Sequence, residues 1–102
     1  MAFTARHNIT TALTQNLITA GDNAGNIRSV HLANVDASTS VNVDLILNND
    51  SANHYIIKNV TIPAGATLTV DTAKIKIDTT TGNDSLRIKL SAAVSVDVII
   101  NN

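Results

Sequence analysis

Three histidines, His7, His31 and His54, are the residues best suited to acid–base or metal chemistry in this 102-residue chain. A zinc site needs about four ligands converging near 2 Å, usually from closely spaced pairs. These histidines are far apart in sequence, and the chain has no cysteine to complete a set. The lack of cysteine also excludes disulfides, thiolate metal sites and thiol nucleophiles. A serine nucleophile would need a partner base and a strained elbow of the G-x-S-x-G kind, and no such motif occurs. A paired-carboxylate mechanism needs one acid in an apolar cleft. Here every acidic residue is Asp, placed mostly in turn-like segments or at outward strand positions. Two loops rich in oxygen ligands, GDNAGN (21–26) and NNDSAN (48–53), lack the spacing and closing Glu of a calcium loop. The expectation is a protein that is not an enzyme and carries neither cofactor nor metal.

What remains for function is contact with partners. Lys74, Lys76, Arg87 and Lys89 form a basic cluster in the segments KIK and RIK, which suits either a solvated strand face or an acidic protein partner. Nucleic acid is not expected, because net charge is −1 and no aromatic accompanies these cations in sequence. The segment MAFTARHN offers Phe3, Arg6 and His7 as an arm able to order on a neighbouring subunit. Tyr55, beside His54, offers thin support for sugar binding. No run approaches membrane-spanning length and no signal peptide is visible, so neither a membrane nor secretion is expected.

The elements that hold these residues are read from alternation with period two. VNVDLIL sets Val41, Val43, Leu45 and Leu47 on one face, with Asn42 and Asp44 on the other. Similar runs carry Ile9, Leu13 and Leu17; Val30 and Leu32; Val60 and Ile62; Leu68 and Val70; Ile75 and Ile77; Leu86, Ile88 and Leu90; and Val94 to Ile100. Turn-forming clusters separate them, and Pro63-Ala64-Gly65 makes the sharpest corner. Apolar residues make up 44 % of the chain but aromatics only 2 %, so the core must be aliphatic. About eight short strands predict an all-β fold, an antiparallel, jelly-roll-like β-sandwich. The division expected is an arm over residues 1–8 and one domain over 9–102.

Four segments in this order resemble a family of small virion structural proteins of tailed bacteriophages. They are Val30 to Asn34 in SVHLAN, Ile62 to Leu68 in IPAGATL, Asn83 to Ile88 in NDSLRI, and Ala93 to Val98 in AVSVDV. The resemblance implies a non-enzymatic capsid decoration (cement) protein, located in the virion. It would be a homotrimer or another homo-oligomer that binds the major capsid protein through Phe3, Arg6 and His7 and then through the basic strand faces. A neck, tail or fibre component, or a receptor- or glycan-binding module, is the alternative.

Overall fold

The computed structural model describes residues 6–21, 27–49, 52–75, 77, 79 and 83–101. Eight strands follow in order: β1 (Arg6–Ile9), β2 (Gln15–Ile18), β3 (Ser29–Asn34), β4 (Val41–Asn49), β5 (Ala52–Ile62), β6 (Thr67–Asp71), β7 (Asp84–Leu90) and β8 (Val96–Asn101). They form two four-stranded antiparallel sheets, β1-β8-β3-β6 (sheet I) and β2-β7-β4-β5 (sheet II). This strand order is that of a jelly roll, and the expected all-β sandwich is what the chain forms.

Alternation explains the core. In β3 and β8 the burial pattern switches at every residue, so Val30, Leu32, Val96, Val98 and Ile100 face inward. Val41, Val43, Leu45, Leu86, Ile88 and Leu90 meet them from sheet II. Each of these aliphatic side chains contributes about 1.5–3 kcal/mol by leaving water.

Two hydrogen-bonded latches close the sandwich. At one end Asn34, only 1 % exposed, terminates β3. Its Nδ2 donates to the Thr39 carbonyl at 2.9 Å and to the Ile62 carbonyl at 3.0 Å, while its Oδ1 accepts from the Asp36 amide at 3.1 Å. Its main chain pairs with the corner, donating to the Ala66 carbonyl and accepting from the Gly65 amide. That corner is a turn closed by Ala66 N–H on the Pro63 carbonyl, with Gly65 at φ +76°, the conformation a type II turn requires at that position. Both the β3–β4 and β5–β6 connections cross between sheets here. At the other end of β3, fully buried Thr72 donates its hydroxyl to the Ile27 carbonyl and its amide to the Arg28 carbonyl.

Three expectations differ from the structure. The run around Ile9, Leu13 and Leu17 is not one strand: β1 belongs to sheet I and β2 to sheet II, and Leu13 in the crossing is 72 % exposed. A period of four is shared by a strand and by a chain that changes sheets, so spacing alone could not separate them. Arg6, His7 and Asn8, expected in an arm, pair with β8 as part of β1. The segment around Ile75 and Ile77 carries no strand among its described residues; the Ile75 amide closes a turn on the Thr72 carbonyl.

Asn34→Ala is expected to lower unfolding free energy by about 2–4 kcal/mol, since it strands the buried Ile62 carbonyl as well as removing bonds. Asn34→Asp should also destabilise, because a carboxylate cannot donate to Thr39 and Ile62. Urea titration measures both. Asp36 accepts the Ser38 and Thr39 amides, and these bonds hold its carboxyl below the usual carboxylate range. A depressed folded value means the stabilisation is present above the unfolded value, about 3.9, and fades as pH falls through the lower folded value. The stability difference between parent and Asp36→Asn should therefore shrink in acid below pH ~4.

Candidate functional site

The histidines do not converge. His31 lies on the outer face of sheet I, its Nδ1 3.0 Å from the Thr69 hydroxyl on the neighbouring strand. His54 is exposed on β5. His7 stands in register with Val98, Leu32 and Leu68 and so shares their inward side, which leaves its Nε2 buried with no hydrogen-bond partner among the described residues. No group of three or more His, Cys, Asp or Glu able to hold a metal occurs among the described residues. The loops read for calcium fall partly outside them, at 22–26 and 50–51.

The basic cluster divides. Arg87 and Lys89 sit two apart on β7 and point outward from sheet II. Lys74 lies instead in the turn after β6, a strand of sheet I. Phe3 and Lys76 lie outside the described residues.

In place of the KIK segment, the structure brings two residues of β5 to Arg87 and Lys89. Register places Asn16, Arg87, Ile46 and Tyr55 in one row across the outer face of sheet II. In the next row Lys89 stands opposite Asp44. Lys58 Nζ lies 4.8 Å from the centre of the Tyr55 ring, a cation–π contact. The aromatic contact is thus made by Lys58, a cation outside the cluster singled out in the sequence.

The cause is strand geometry. Residues three apart on a regular strand point to opposite faces. β5 spends eleven residues, Ala52 to Ile62, opposite nine of β4, and the register shifts twice, between Val43 and Leu45 and between Leu45 and Ile46. The first shift is fixed by Asn59, left-handed at φ +57°, whose amide donates to Asp44 Oδ1 at 2.6 Å. Asn59 Oδ1 also accepts from Asn42 Nδ2 at 3.0 Å. These bulges turn Lys58 onto the face of Tyr55.

Ile46 lies between Arg87 and Tyr55 and is 2 % exposed, although it is on the outer face and outside the core cluster. Long flanking side chains cover such a residue with their apolar stems. The face therefore holds one covered apolar residue, Ile46, among polar and charged ones. Its strand positions carry three cations, Lys58, Arg87 and Lys89, against one carboxylate, Asp44, among the described residues. Tyr55, 47 % exposed, is the accessible aromatic among them. No helix among the described residues is long and apolar enough to cross a membrane.

No family model and no curated protein matches the chain. Among solved structures, the Anabaena sensory rhodopsin transducer aligns with 98 % of this chain and 96 % of its own, at 15 % identity and a TM-score of 0.45. That degree of likeness carries no functional argument. The resemblance to phage virion proteins is corrected here, and with it the decoration role and the virion location: no family model of virion proteins matches the chain. The four segments that carried the resemblance are the strands β3, β7 and β8 and the β5–β6 corner.

Asn59→Val should cost about 1–2 kcal/mol, because a β-branched residue resists the left-handed conformation. It should also separate Lys58 from Tyr55. Asn59→Gly should keep the bulge. The ring-current shift of the Lys58 side-chain protons in NMR spectra checks both outcomes.

Proposed function

We propose that this chain is a non-catalytic binding domain whose outer sheet II face holds an acidic polypeptide. The observation that carries the reading is that Lys58 lies against the Tyr55 ring on the face where Arg87 shares Tyr55's row and Lys89 the next, with Asp44 already engaged by the Asn59 amide. Arg87 supplies a planar donor set that suits carboxylates, and its Nε also reaches the Ser85 hydroxyl at 3.2 Å. Tyr55 gives contact area at low entropic cost, as aromatics do at protein interfaces. A strand ladder fixes the spacing of the backbone positions that carry these groups, while ordering their long side chains offsets part of the gain. Acidic protein is favoured over nucleic acid because a single aromatic offers no stacking platform for successive bases.

The test is a titration of the isotopically labelled full chain with an oligo-glutamate peptide, followed by backbone NMR shifts. Shifts are expected at Tyr55, Lys58, Arg87 and Lys89, and they should weaken with added salt. Reversing Arg87 to Glu should reduce affinity by about three- to five-fold, the scale of one exposed charge contact. Shifts scattered over sheet I, or stronger binding of an oligothymidylate of equal charge, would overturn the reading.

A further inference from the structure

We infer that the β1–β8 border of sheet I is a self-association surface, and that its occupant is a second copy of this chain related by a two-fold axis. β1 is the outermost strand of sheet I and pairs on one side only, with β8. Among the described residues no further strand pairs with β1, and its outward side chains continue the outer face of β8. The open cleft along this border has a volume of about 370 Å³ and is lined by Arg6, His7, Asn8, Asp97, Val98 and Ile99.

The patch has the composition of a self-complementary contact. Arg6 stands opposite Ile99, and Asn8 stands opposite Asp97, so all four side chains share the outer face. Ile99 is 45 % exposed, an apolar β-branched residue between Asp97 and Asn101 at the outward positions of β8. A cation and a carboxylate thus flank an apolar centre within two adjoining rows. A two-fold axis near Ile99 brings Arg6 of each copy to Asp97 of the other, while the two isoleucines meet. The same patch then serves both partners, as an isologous interface demands. Asp97 Oδ1 already accepts from Asn8 Nδ2 at 2.7 Å, and Asn8 Nδ2 also lies 2.9 Å from the Ser95 hydroxyl. These bonds fix the carboxylate in place, and a carboxylate has lone pairs for a further donor.

This surface is on the sheet opposite to the basic face, so a dimer formed here leaves Tyr55, Lys58, Arg87 and Lys89 accessible. The inference stands without the acidic-partner reading.

Sedimentation of the full chain over a concentration series tests it. The parent is expected to show a monomer–dimer equilibrium. Arg6→Asp alone and Asp97→Arg alone should each weaken dimerisation about ten-fold, since each loses two exposed charge contacts per dimer. An equimolar mixture of the two variants should recover the dimer, because only a contact between copies can pair Asp at position 6 of one with Arg at position 97 of the other. Ile99→Lys, at an exposed site that folding tolerates, should give monomer with an unchanged circular dichroism spectrum. A parent that stays monomeric at every concentration, or a mixture that recovers nothing, would overturn the inference.

Discussion

The carboxamide of Asn34 is the constraint on which the sandwich depends. Two connections that change sheets pass this side chain, and its two N–H groups and one oxygen are all used to hold them. An apolar residue could fill the volume but would leave the Thr39 carbonyl and the buried Ile62 carbonyl without this donor. A buried polar group of this kind is costly unless fully satisfied, and here it is satisfied three times. The Pro63–Gly65 corner is therefore placed by a distant residue as well as by its own turn chemistry. Aliphatic packing supplies bulk free energy, while the latch decides which strands face each other.

Fold class and most of the inward positions were legible from alternation, because a two-layer sandwich imposes the same period on every strand. The inward set of β4 could be read from Val41, Val43 and Leu45. The places where reading failed share a cause: the period was locally broken or locally imitated. The chain between Ile9 and Leu17 imitates a strand while crossing from one sheet to the other. His7 looks like a polar arm residue, yet its pairing with Val98 puts it on the inner side.

The candidate site was less legible than the fold. Arg87 and Lys89 could be found from a two-residue spacing, but Tyr55 and Lys58 are separated by an odd number of positions and so read as opposed. Their union depends on two extra residues in β5 and on the left-handed Asn59. The signal was present in YIIKNVTI as a run whose alternation slips, followed by an Asn that tolerates positive φ. A slipped run beside Asn is thus a cue to bulged geometry, although it does not say which side chains the bulge will unite. The same bulges make this sheet edge irregular, which discourages pairing there.

The strand order also bears on how the molecule is made. β8, the last strand, lies inside sheet I between β1 and β3. While the chain is being synthesised, β1 has no partner in its own sheet, and β3 can pair only with β6 until β8 arrives. Sheet II, by contrast, is complete once β7 has appeared. Assembly of this domain therefore runs from one sheet to the other, with the first strand waiting for the last. The closing pairing joins Arg6 with Ile99 and Ile9 with Val96, across almost the entire chain. Contacts of such sequence separation slow folding, so this protein should spend its longest vulnerable interval with one finished sheet and one open apolar face.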